Sequence, residues 1–271
     1  MNNIKKSTPM DDFDNDIKYK LYRSLYEIIH PTISKKNISN YKIILDDKLV
    51  PVRVFYPEKV SSITSLIIFI HGNNYITNCF NSYSSICREI SDNTNKLVIA
   101  IDYDSKSSYK DAYNKCFDIV NYFYNNCNKC NISEKKIILM GDSLGCNILL
   151  DITHNIETYK KILFYPILSN NHQTKAKRDS NYVDKLKMLI DNKYISDSDF
   201  CLNKNYDNIT NTLIITGNVD LFRDNGKILF DKLISKKNIY YNIDFADHGF
   251  LLNNDLEIKN SIYEVVKSFL K

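Results

Sequence analysis

No stretch of this sequence stays apolar for long enough to cross a bilayer. Its longest runs, such as SLIIFI at 65–70, fall far short of the roughly 20 residues a spanning helix needs. The first residues, MNNIKKSTPMDDFDND, hold no apolar core of the kind a secretory signal carries. The cysteines form no framework: seven are present, an odd number without regular spacing, which fits a reducing compartment better than a set of disulfides. Basic residues do not cluster among aromatics, so the formal net charge of +4 reads as a solvated surface rather than a nucleic-acid track. No internal repeat or low-complexity linker marks a second independent domain. These absences lead to the expectation of a soluble, cytoplasmic, single-domain protein that binds no nucleic acid and spans no membrane.

What is present is an ordinary globular composition, 44% hydrophobic and 25% charged over 271 residues. A chain of this length buries roughly three quarters of its unfolded surface, so its core needs neither metal nor disulfide. Short β-branched runs alternate with longer helical patterns, which predicts a mostly parallel central sheet of about eight strands with helices on both faces. The expected strands are YKIIL (41–45), VPVRVFYP (50–57), SLIIFI (65–70), KLVIAIDY (96–103), KKIILMG (135–141), KILFYP (161–166), TLIITG (212–217) and IYYNIDF (239–245). The first two are expected to pair antiparallel across a DDK turn. Helices are expected over 109–127, 146–156, 221–235 and 256–270, each with an apolar stripe near period 3.6. Two segments break the rhythm, a tyrosine-rich amphipathic helix expected at residues 10–30 and a polar insertion at 169–209. Insertions of that length in a compact domain are usually lids or binding elements.

The stretch ILMGDSLGCNILL (138–150) sits where a strand hands over to a helix. In the pattern G-x-S-x-G the turn is so tight that small residues must stand two positions on either side of the serine. Ser143 would then project above the carboxyl edge of the sheet, with the amide of Leu144 at a helix amino terminus able to stabilise an oxyanion. The bland alternative is a βα turn in which Ser143 caps the helix, and the motif alone does not separate the two.

A serine nucleophile needs a base and an orienting acid later in the chain. Of five histidines, His30, His154 and His172 fall in helical or polar segments, and His71 ends a strand before the turn. His248, in FADHGFLL, lies after the last strand and before the last helix, where the order Ser…Asp…His places its base. Asp220 follows the preceding strand and is the favoured acid. Asp224 falls inside the ensuing helix, and Asp247 is adjacent to the histidine, where neighbouring side chains diverge. The loop FIHGNNYITN (69–78) follows the strand whose exit should supply further oxyanion amides.

Taken together, HGNN (71–74), DY (102–103), GDSLG (141–145), YP (165–166), DLFRD (220–224) and DHGF (247–250) occur in an order similar to the hormone-sensitive-lipase-like branch of the α/β-hydrolase fold. That branch includes carboxylesterases, arylacetamide deacetylases and kynurenine formamidases. The resemblance spans about residues 40–271. It implies Ser143 as nucleophile, Asp220 as acid and His248 as base. It also implies an oxyanion and substrate-binding loop at Gly72, Asn73 and Asn74 with Leu144, and a small helical cap from about 1–40 and 169–209. The family's usual glycines stand here as Asn73 and Asn74, its alanine after the nucleophile as Leu144, and the next usual glycine as Cys146.

The expected chemistry is hydrolysis of a small ester or amide through an acyl-enzyme, without metal or organic cofactor. An arylformamidase or deacetylase would use the same groups, and a non-catalytic binding protein on this fold is the rival from another class. CNKC at 127–130 has neither a second pair nor a nearby histidine to complete a zinc site. An edge strand or the last helix could support a homodimer.

Overall fold

Residues 38–45, 48–58, 65–72, 83–103, 107–127, 136–169, 200–204, 206, 209–253 and 255–271 are described by the computed structural model. Its strands are β1 (Ile38–Leu45), β2 (Lys48–Phe55), β3 (Leu66–Ile70), β4 (Leu97–Ile101), β5 (Ile137–Asp142), β6 (Lys160–Phe164), β7 (Thr212–Gly217) and β8 (Ile239–Ile243). They form one eight-stranded sheet in the order β1-β2-β4-β3-β5-β6-β7-β8. β2 pairs antiparallel with β1 and β4, and every pairing from β4 to β8 is parallel. The expected sheet is therefore observed. β3, β4, β5 and β7 are buried at every position, which is why they read as continuous apolar runs rather than alternating ones.

The described helices are α1 (Ser84–Thr94), α2 (Tyr109–Asn125), α3 (Gly145–Thr153), α4 (Arg223–Lys232) and α5 (Leu256–Leu270). Alternate residues of the strands divide them between two cores. Ile68, Ile99, Leu139 and Ile214 pack with Cys116, Val120 and Phe123 of α2, Leu149 of α3 and Leu229 of α4. Ile67, Phe69, Met140 and Ile215 pack on the other side with Ile86 and Ile90 of α1 and Ile262 and Val266 of α5. Each such aliphatic side chain contributes about 1.5–3 kcal/mol when fully buried. Helix α1 had not been expected. It buries a narrow stripe of Ile86, Cys87, Ile90 and Ser91, and no side-chain bond caps its start at Tyr83, so no cap announces it.

Residues 38–40, assigned to a cap segment from the sequence, belong instead to β1. The remainder of that segment and residues 170–199 of the polar insertion lie outside the described residues, as do His30, His172 and Cys130. Where the insertion ends, the Leu202 amide donates to the Leu168 carbonyl at 3.0 Å, and Cys201 and Tyr206 are buried in the first core. Among the described residues no helix is long and apolar enough to cross a membrane.

Candidate active site

β5 ends in Gly141–Asp142, Ser143 follows, and α3 begins two residues later. Ser143 has φ +52°, a left-handed value that few side chains other than glycine adopt without cost. The strand-to-helix reversal leaves no room at Gly145, where a Cβ would lie 2.2 Å from the carbonyl oxygen of Ile70 and 2.6 Å from that of His71. The second glycine of the motif is thus required by β3, which passes directly beneath the turn. Cys146, the departure at the next residue, is fully buried, and its thiol donates to the Gly141 carbonyl at 3.1 Å.

The Ser143 side chain does not cap α3. Its Oγ lies 3.0 Å from Nε2 of His248, and Nδ1 of the same ring lies 3.1 and 3.2 Å from the two carboxylate oxygens of Asp220. Three residues spread over more than 100 positions form one hydrogen-bonded chain. His248 is about 10% exposed and Asp220 is fully buried. Asp220 Oδ1 also accepts the Phe222 amide at 2.8 Å, which fixes the carboxylate in its turn. Asn218 ties the two loops together. Its amide donates to the Ile243 carbonyl at 2.9 Å, and its Oδ1 accepts the Phe245 amide at 2.7 Å. Asp224 lies in the first turn of α4 beside Arg223, as its position suggested. The Asp247 carboxylate takes the His248 backbone amide.

Around the imidazole, Tyr165 and Phe222 pack edge-on, with ring centroids at 4.9 and 5.3 Å. Burial opposes a charge on His248. The carboxylate of Asp220, its hydrogen bond, and the charges of Asp142 and Asp247 outweigh that cost and raise the ring's pKa above 6.5. His71 is the opposite case. Burial between Tyr103 and Tyr83, at 4.3 and 5.4 Å, holds it down at about 4, so it is neutral and structural. His154 is exposed and lies against Tyr206.

Gly72 comes so close to the turn that a Cβ there would lie 2.9 Å from Cβ of Ser143. Its amide, however, donates to Oδ1 of Asp142 at 2.7 Å. Gly72, expected in the oxyanion and substrate-binding loop, has its own N–H committed to Asp142. Asn73 and Asn74 lie outside the described residues. Leu144 stands at the N-cap of α3, at the positive end of the helix dipole.

Sequence reasoning missed the groups that hold this arrangement. Asp142 Oδ2 accepts the hydroxyls of Tyr83 at 2.7 Å and Tyr165 at 3.0 Å, and the Tyr103 hydroxyl donates to the His71 carbonyl at 2.6 Å. The DY and YP pairs signalled Tyr103 and Tyr165. Nothing in the sequence signalled Tyr83.

A family profile described as alpha/beta hydrolase fold matches residues 67–252. The chain belongs to the α/β-hydrolase family, in its hormone-sensitive-lipase-like branch. Among its relatives, the vegetative-specific protein H5 of Dictyostelium discoideum is 28% identical over 61% of this chain and 54% of that protein. An arylesterase of Saccharolobus solfataricus is 21% identical over 89% and 86% of the two chains. A mimivirus protein named for the same fold is 23% identical over 52% of this chain and 43% of its own, so the chain spans about half the length of the first relatives it matches. An esterase structure from Pyrobaculum calidifontis superposes with TM-score 0.76 at 18% identity, over 95% of this chain and 93% of that one.

Proposed function

We propose that this hydrolase cleaves small carboxylic esters, or the corresponding amides, through a covalent acyl-enzyme on Ser143. The hydrogen-bonded chain Ser143–His248–Asp220 carries this reading. His248 Nε2 takes the Ser143 proton as Oγ attacks the substrate carbonyl carbon. The tetrahedral oxyanion is met by the amides of Leu144, Asn73 and Asn74. Collapse breaks the bond to the leaving group, which departs with the proton from His248. Water then attacks the acyl-enzyme, gives its proton to the same nitrogen, and releases the carboxylic acid with Ser143 restored. Asp220 holds the ring in the tautomer that leaves Nε2 free to accept, and it stabilises the imidazolium in between.

Relatives named as an arylesterase and as arylacetamide deacetylase-like proteins support a carboxylic ester or amide as substrate. The test is turnover of short-chain p-nitrophenyl esters, together with labelling by a fluorophosphonate, on wild type and Ser143→Ala. The wild type should turn over and be labelled, and the variant should do neither. Equal rates for the two proteins would refute the assignment.

A further inference from the structure

Resting on the hydrolase reading above, we propose that Asp142 is a positioning residue for the reaction. Its buried carboxylate ties the exit of β3 and the ring beside His248 to the turn that presents Ser143. The carboxylate is 1% exposed and gathers donors from three places distant in sequence. Oδ1 takes the Gly72 amide at 2.7 Å, where the proposed oxyanion loop leaves β3. Oδ2 takes the Tyr83 hydroxyl at 2.7 Å, from the residue that opens α1, and the Tyr165 hydroxyl at 3.0 Å, from the residue that follows β6.

Each donor leads to a working part of the site. Gly72 lies close against Ser143, since a Cβ there would lie 2.9 Å from that of the serine and 3.1 Å from Oδ2 of Asp142. Tyr165 has φ +36° and donates its amide to the Ile215 carbonyl at 2.7 Å, while the edge of its ring meets His248. Tyr83 faces the His71 ring, which stacks in turn on Tyr103, and Tyr103 holds the His71 carbonyl. One carboxylate thus sets the spacing between nucleophile, oxyanion loop and base without touching the reacting atoms.

The carboxylate is an expensive choice for a merely structural staple. Burial raises its pKa to about 6, against the hydrogen bonds of Tyr83, Gly72 and Tyr165 and the attraction of His248. The titratable groups that face it are His71 at the end of β3, Tyr83 and Cys87 at α1, Cys146 on α3, Tyr165 after β6, and His248. Burial keeps His71 and both thiols neutral at pH 7. Three neutral donors can be satisfied at once only by an acceptor with more lone pairs than an amide oxygen supplies, and an ionised carboxylate is that acceptor.

The experiment compares wild type, Asp142→Asn and Tyr83→Phe with p-nitrophenyl acetate, counting active sites by fluorophosphonate titration and following thermal unfolding. Asp142→Asn should lower kcat per titrated site by roughly 10- to 100-fold, with KM changed less than about threefold, because a misplaced loop costs the transition state more than the ground state. Tyr83→Phe should lower kcat by about three- to tenfold and shift the acid limb of its pH profile upward, since Asp142 loses a donor to its charged form. Should Asp142→Asn fail to fold, Tyr83→Phe decides the matter. A folded variant whose kcat per active site stays within about twofold of wild type overturns the positioning role while leaving the hydrolase reading intact. A wild type that neither turns over nor is labelled overturns the hydrolase reading and the positioning role with it.

Discussion

Asp220 and Asp142 are both shut away from water near His248, but they face different company. Asp220 meets an imidazole at 3.1 Å that can take up a positive charge, and one backbone amide. Asp142 meets two phenols and an amide, all of them neutral. A buried carboxylate beside a potential cation can stabilise charge as it develops during a reaction. One ringed by neutral dipoles has its charge stabilised in place and returns that stabilisation mainly as rigidity, beside a smaller part in raising the His248 pKa. The first arrangement suits an electrostatic role in each turnover, the second a fixed geometric role.

The sharpest way to break that distinction is to neutralise Asp220. Asp220→Asn should fold, because the Phe222 amide can still find an oxygen, yet it should lose about 10⁴-fold in kcat by presenting the wrong tautomer to Ser143. The pH profile carries the same information. His248 must be neutral to accept the serine proton, and Asp220 raises its pKa, so the acid limb of kcat/KM in the wild type should have its midpoint above 6.5. A midpoint at or below 6.5, or a mild loss in Asp220→Asn, would show that Asp220 does not stabilise the imidazolium.

Neutralising Asp142 should have the opposite signature in stability. For an acid whose folded pKa is raised, here from 3.8 to about 6, the folded state holds the proton more tightly than the unfolded chain does within that window. Stability from this group therefore falls as pH rises from about 3.8 to 6, and the penalty is fully present above 6. His71, held at about 4, acts in the other direction, adding stability as pH rises from about 4 to 6.5. Comparing Asp142→Asn with wild type cancels the histidine. Relative to wild type, the variant should gain on the order of 2–3 kcal/mol between pH 4 and pH 8. Urea titrations at the two pH values measure it. A gain that does not grow with pH would mean that the carboxylate is not held ionised against its burial.

These two carboxylates also differ in how far the sequence disclosed them. Asp220 follows β7, whose bounds match the expected 212–217, so its place after a strand end and before His248 could be read from periodicity and order. Helix α5 was legible for the same reason, with an apolar stripe and with Asp255 capping the amides of Glu257 and Ile258. Asp142 is visible in GDSLG, but its function depends on Tyr83, 59 residues away at the start of a short helix whose narrow apolar stripe says nothing about the hydroxyl that precedes it. Local pattern specifies a strand end or a cap, whereas only the packed sheet brings Tyr83, Gly72 and Tyr165 to one carboxylate. The partner of Gly72 was hidden for the same reason: the motif marks a glycine at the strand exit, while its N–H goes to Asp142, whose role as acceptor the motif does not specify.

The smallest expected effect concerns the third carboxylate, Asp247, which is next to His248 in sequence. Proximity along the chain makes it a rival to Asp220, but its side chain accepts the backbone amide of His248, and the ring's Nδ1 turns to Asp220. Its charge still contributes to raising the ring's pKa, as the last of the causes after Asp220 and Asp142. Asp247→Ala should therefore change kcat by less than about threefold and move the acid limb of kcat/KM slightly downward, in the direction expected when a partly exposed negative charge is removed. A loss comparable to that of Asp220→Asn would transfer the orienting role to Asp247. It would also show that adjacency in sequence, rather than burial and angle of approach, selects the acid in this site.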